Sequence, residues 1–215
     1  MSTSNLNSSR PDPLHLDPLH LDPKKTALVL IDLQNGIVAM PTAPYPAAEV
    51  VKKAKLLAQT FRAKGATVVY VRVDMANVLQ LPADQPMRDP NAPPPPATAS
   101  EIVPDAGYEP GSPSDSSNHD LLITKRHWGA FAGTELEQLL KRRGVDTVVL
   151  GGIATNIGVE STARQGTGLG FAFVIVEDAC TARDAEAHRL AFEKIFPRLA
   201  RVRKTDEVIA ALNES

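Results

Sequence analysis

The chain of 215 residues contains a single cysteine, Cys180. One cysteine can form no disulfide within the chain and cannot supply a cysteine-rich zinc site, so the reducing cytoplasm is the expected location. Excess charge of either sign is missing as well: 23 Lys and Arg stand against 25 Asp and Glu, a formal net charge of -2. Such a balance gives no broad attraction to phosphate backbones or anionic lipid surfaces, which argues against nucleic-acid and membrane partners. No apolar run approaches the roughly 18 to 20 residues of a bilayer span, and the first residues lack the basic start and apolar stretch of a signal peptide. The glycine spacing of a dinucleotide fingerprint and the G-K-[ST] of a phosphate loop are also absent, and no cofactor is expected.

What remains is a chain of 23.1 kDa with 43% hydrophobic residues, enough for one ordinary core. Residues 1–25 read as an extended, Pro-rich tail. They hold a tandem repeat, Asp12-Pro13-Leu14-His15-Leu16 and Asp17-Pro18-Leu19-His20-Leu21, followed by Asp22-Pro23. Proline at every fifth position forbids a helix, and two five-residue units cannot build a solenoid. Residues 26–215 form the domain proper. Aliphatic runs at Ala27–Ile31, Ala66–Val73, Leu121–Thr124, Val145–Gly151, Phe171–Val176 and Leu199–Val202 predict six strands. Between them, helices are predicted over Ala47–Lys64, Thr134–Gly144, a stretch from about Thr155, Asp184–Phe196 and from Thr205 onward. Thr134 with Glu137 three residues later reads as a capping box. Buried strands alternating with helices imply an α/β fold: three α/β/α layers with a mostly parallel sheet. The regularity fails around 74–120, where ten of the 18 prolines fall between Pro82 and Pro113; an excursion of this length is a substrate lid, a subunit contact or an insertion without function.

Open parallel sheets bind ligands at the carboxyl ends of their strands, so residues that end strand-like runs carry the information. Asp32 follows the first run, in Ile31-Asp32-Leu33-Gln34-Asn35. Lys125 follows the third, in Thr124-Lys125-Arg126-His127-Trp128-Gly129-Ala130-Phe131. A glycine pair turns the fourth run into a helix, in Gly151-Gly152-Ile153-Ala154-Thr155-Asn156-Ile157-Gly158-Val159-Glu160. An acid and a lysine in one partly dry crevice can exchange a proton, and a sharp strand-to-helix turn aims backbone N–H groups at one point.

Taken in order, these segments resemble the isochorismatase-like hydrolase superfamily, also called cysteine hydrolases, from about Thr26 to the C-terminus. The likeness is strongest from Lys125 to Ala182, and closest to bacterial members with glycine in place of the nucleophilic cysteine. It implies the three-layer, Rossmann-like fold of that family and a homo-oligomer, dimer or tetramer. It implies a catalytic Asp and Lys at Asp32 and Lys125, and a non-proline cis peptide joining Ile153 to Ala154. The N–H groups of Ala154 and Gly158 would form an oxyanion site. In the amidase members the residue seven positions after the first glycine of the turn is the cysteine nucleophile; here it is Gly158.

A hydrogen side chain cannot attack a carbonyl, so thioester-forming amide hydrolysis is disfavoured. Cys180 lies beyond a different strand, and Ser161 and Thr162 read as ordinary helix polars. Isochorismatases also carry glycine at that position and hydrolyse a vinyl ether, which needs a proton on carbon and then water. On that pattern Asp32 is the protonated acid and Lys125 supports proton transfer and substrate charge. Gln34 would orient substrate or water, Trp128 and Phe131 would wall the pocket or else pack in the core, and Thr155 and Asn156 would contact a small-molecule substrate. Nicotinamidases carry an Asp and two His after the second strand; here Asp74 stands alone, so no metal is expected, and His119, His127 and His188 are scattered. A retired enzyme that keeps the pocket only to bind is the rival reading.

Overall fold

The computed structural model describes residues 18–79, 81–86, 89, 91–111 and 120–214. β1 (Thr26–Ile31) is buried along its whole length, as an unbroken aliphatic run requires of a strand covered on both sides. Its side chains alternate. Leu28 and Leu30 pack with Val50, Leu57 and Phe61 of α2 (Ala47–Ala63) and Val208 and Leu212 of α6 (Thr205–Asn213). Ala27, Val29 and Ile31 face Leu136 and Leu140 of α3 (Leu136–Arg142), Ala163 of α4 (Glu160–Gly168) and Phe196. The period of two thus builds a layer on each face of the sheet, giving the expected three-layer α/β/α architecture.

The other strands are β2 (Thr67–Val73), β3 (Leu121–Lys125), β4 (Thr147–Ile153), β5 (Ala172–Thr181) and β6 (Arg201–Arg203). Their order is β3-β2-β1-β4-β5-β6, and all five pairings are parallel. The chain leaves β1 toward one edge and, after β3, crosses to the other side of β1 to form β4. The carboxyl ends of β1 and β4 therefore flank the crevice where the winding reverses. Gly152 permits the close approach there: its φ is +130°, and a Cβ would collide with the Ile31 carbonyl oxygen.

Several boundaries depart from expectation for local reasons. The capping box before α3 does not form; Thr134 Oγ1 donates to the Ala130 carbonyl, and Glu137 instead pairs with Lys141 one turn on. The helix expected over Asp184–Phe196 is broken into α5 (Ala185–Leu190), a π-helical turn (Ala191–Ile195) and a 3-10 turn (Phe196–Arg198), the last built on Pro197, which has no N–H to continue an α-helical ladder. β5 runs longer than its apolar run because its pairing with β4 shifts between Leu150 and Gly152, accommodating Glu177 and Asp178. Asp178 then accepts from the Thr205 backbone N–H and hydroxyl at the start of α6.

The Pro-rich excursion returns to the sheet where it is described. Gln34 bridges Ile102, Val103 N donates to the Leu33 carbonyl, and Arg62 of α2 reaches Asp120, Glu109 and the Gly107 carbonyl. Of the tail, the first repeat unit lies outside the described residues. In the second, Leu21 is buried in the α2–α6 core, so packing begins ahead of Thr26. Among the described residues no helix is long and apolar enough to cross a membrane.

Candidate active site

The carboxyl ends of five strands surround a cavity of about 400 Å3. Asp32 enters from β1, Val73 and Met75 from β2, and Lys125, His127 and Trp128 from β3. Ile153, Ala154, Ile157 and Gly158 come from β4, and Arg183 follows β5. Ile37 of α1 (Asn35–Val38), Met40, Thr42, Val78, Gln85 and Pro86 complete the wall. Most of this lining is apolar, so charges inside it are poorly screened.

Two of those charges meet. Lys125 Nζ lies 2.8 Å from Asp32 Oδ2 and donates also to the His127 carbonyl at 3.2 Å. The two side chains are only 3% and 8% exposed. Asp32 leaves its strand with φ +54°, the left-handed region that aspartate tolerates better than most residues, while its N–H still donates to the Val71 carbonyl. Burial pushes its carboxyl above the ordinary aspartate value of 3.8, and the Lys125 ammonium opposes this without cancelling it. The second oxygen, Oδ1, is buried without a hydrogen-bond partner among the described residues, which leaves it free to carry a proton.

The β4 turn completes the arrangement. The Ile153–Ala154 peptide is cis, and a π-helical turn (Thr155–Val159) follows. A Cβ built on Gly158 would stand 3.2 Å from Asp32 Oδ2 and 2.9 Å from Ile31 Cγ2. The position that a side-chain nucleophile would occupy is therefore beside the acid–lysine pair. No other residue takes it over. Cys180 is buried on the far side of β4, and burial drives its thiol well above the ordinary range. Thr162 is fully buried and committed to the Gly158 carbonyl and the Ala130 N–H, and Ser161 opens onto a neighbouring depression rather than the cavity.

Asp32, Lys125, Gly158, Ile153, Ala154 and Trp128 thus converge, whereas four residues expected to contact substrate do not line the cavity. Gln34 is fully buried and its amide is spent on backbone: Oε1 accepts from Val73 N, and Nε2 donates to Val73 O and Ala99 O. Phe131 stacks on Phe171 in the core, since its side chain turns into the α3–α4 layer. Thr155 is buried against His188, and Asn156 is exposed on the outer side of the turn. Asp74 accepts from Asn77 at the surface, and His119 lies outside the described residues. The strand-end rule also marks Val73 and Arg183, which sequence reasoning passed over; Met40, Thr42 and Gln85 come from loops with no pattern to flag them.

The isochorismatase domain family matches residues 26–207. The chain is 47% identical over 193 residues to the uncharacterized isochorismatase family protein YecD of Escherichia coli O157:H7, covering 88% of this chain and 97% of that protein. It is 41% identical over 189 residues to YwoC of Bacillus subtilis, covering 86% and 93%. A solved isochorismatase family protein from Burkholderia thailandensis superposes with a TM-score of 0.79 at 40% identity, covering 92% of this chain and all of that one.

Proposed function

Because the chain belongs to the isochorismatase family, whose match spans residues 26–207, we propose that it is a cofactor-independent hydrolase that uses no covalent nucleophile. The observation that carries this reading is the Asp32–Lys125 contact of 2.8 Å beside a bare Gly158. The substrate is a small organic molecule with a vinyl ether or a related C–O or C–N bond. Asp32, whose protonated form burial favours, gives its proton to the vinyl carbon; the C=C pair forms the new C–H bond and leaves an oxocarbenium ion. Water adds to the cationic carbon, and its proton returns to the Asp32 carboxylate. The hemiketal then breaks its C–O bond to release an alcohol and a carbonyl compound. Lys125 holds Asp32 in place and balances negative charge, while the N–H groups of Ala154 and Gly158 offer donors to developing charge on oxygen. Trp128 supplies an apolar wall, and Arg183 sits at the rim. The reading includes a cytoplasmic homo-oligomer.

The test is a panel of isochorismate, simple enol ethers, amides and carbamates assayed with the wild type and Asp32→Asn. The expected result is turnover of a C–O compound that the variant loses by at least about 10³-fold, while keeping the wild-type fold. Ligand binding that survives in Asp32→Asn, with no product from either protein, would point instead to a retired binding protein.

A further inference from the structure

Behind the cavity wall lies a partly buried polar cluster that the chemistry above does not use. His188 of α5 has a side chain only 5% exposed. Its Nδ1 is 2.9 Å from Thr155 Oγ1, on the first residue of the π-helical turn that follows the Ile153–Ala154 bond. Its Nε2 is hidden, has no hydrogen-bond partner among the described residues, and lies 3.7 Å from Glu177 Oε1. That oxygen already accepts from the Tyr45 hydroxyl at 2.6 Å, and Lys204 Nζ is 4.0 Å from the other carboxylate oxygen. The imidazole packs against the Tyr45 and Phe192 rings.

The Glu177 carboxylate 3.7 Å away favours the proton on Nε2, and in that tautomer Nδ1 accepts from the Thr155 hydroxyl. Burial also lowers the imidazole pKa, against the opposing pull of Glu177, so the neutral ring and this bond persist at pH 7. The cluster reaches a second wall segment as well: the Tyr45 carbonyl accepts from Thr42 and Thr181, and Thr42 lines the cavity.

We propose that His188 is a positioning residue that fixes Thr155 and, through it, the bend that brings Ala154, Ile157 and Gly158 to the cavity. Its bearing on catalysis rests on the hydrolase reading, but its geometry does not. His188→Ala removes both ring nitrogens, His188→Gln retains a polar group only near the Nε2 position, and His188→Asn retains one near Nδ1. Thr155→Val removes the hydroxyl and keeps the shape. The readouts are the backbone amide resonances of residues 154–158, thermal stability, and kcat and KM on whichever panel compound is turned over. The expected pattern is shifted bend resonances and a roughly tenfold lower kcat at little-changed KM in His188→Ala, His188→Gln and Thr155→Val. His188→Asn keeps the bend resonances and kcat near wild type although it melts lower, having lost the ring contacts. The double variant His188→Ala with Thr155→Val is no worse in kcat than either alone. The proposal is overturned if His188→Asn disturbs the bend as much as His188→Ala, which would make the ring a packing element, or if Thr155→Val leaves the bend unmoved. Should no panel compound turn over, the hydrolase reading fails while the amide pattern still decides this one.

Discussion

Replacing Lys125 with methionine keeps the apolar stem and deletes the ammonium that Asp32 faces at 2.8 Å. The folded variant has two options. It can hold an unpaired buried carboxylate, which costs about 3 to 5 kcal/mol, or it can protonate Asp32. Protonation at pH 7 of a group whose unfolded value is near 3.8 costs about 4 kcal/mol, because each pH unit is worth about 1.4 kcal/mol. That sets a ceiling on the loss of stability at pH 7. With the ammonium gone, desolvation is opposed only by the lesser influence of the Val73 backbone, and the folded pKa of Asp32 rises further. A carboxyl with a raised folded pKa binds more protons folded than unfolded, so its stabilising contribution is complete below the unfolded value and is lost as pH rises through the folded one. Below the raised wild-type pKa both proteins carry the proton and the gap between them is small. Above it the wild type ionises against Lys125 while the variant does not, and the gap widens by up to about 1.4 kcal/mol per unit toward that ceiling. Urea denaturation of both proteins at half-unit intervals from pH 4.5 to 8 reads this directly. A stability difference that stays flat across the range would refute the buried-pair reasoning.

Two further variants probe the surroundings of the pair. Gly158→Cys places a Cβ 2.9 Å from Ile31 Cγ2 and 3.2 Å from Asp32 Oδ2, so the fold should accept it only once the buried Ile31 side chain gives by a few tenths of an ångström. Its thiol beside the Lys125 ammonium should take up one iodoacetamide per chain in the native state, where wild-type Cys180 takes up none; equal labelling by mass spectrometry would contradict the placement. Gln34→Leu strands the Val73 N–H and two carbonyls in a dry site and should lower the unfolding free energy by about 3 kcal/mol, measured by urea titration. An unchanged midpoint would mean that Gln34 is not the clamp between β1, β2 and the returning insertion.

The layers of the fold were legible because β1 and its neighbours are apolar on both faces, and because Gly65 closes α2 with φ +70° where the periodicity stops. Strand ends were legible for the same reason: a charge directly after a buried run, such as Asp32 or Lys125, must be at the rim. Side-chain direction was not. Gln34 stands two residues past Asp32 and reads as a substrate contact, yet the insertion folds back over it and its amide is consumed by Val73 and Ala99. Phe131 and Thr155 failed likewise, because their partners Phe171 and His188 lie 40 and 33 residues away and nothing local announces them. The π-helical turn from Ala191 that breaks the helix expected over Asp184–Phe196 has no local signal, since Pro197 lies just past that helix's expected end.

In the proposed reaction water, not a protein atom, attacks the substrate, with Asp32 moving the proton. A single turnover in oxygen-18 water, with enzyme in excess over the panel compound that is hydrolysed, tests it most directly. One heavy oxygen in the first product and an unchanged protein mass throughout are expected. Unlabelled first product with heavy oxygen appearing in Asp32, or a transient protein adduct, would contradict it.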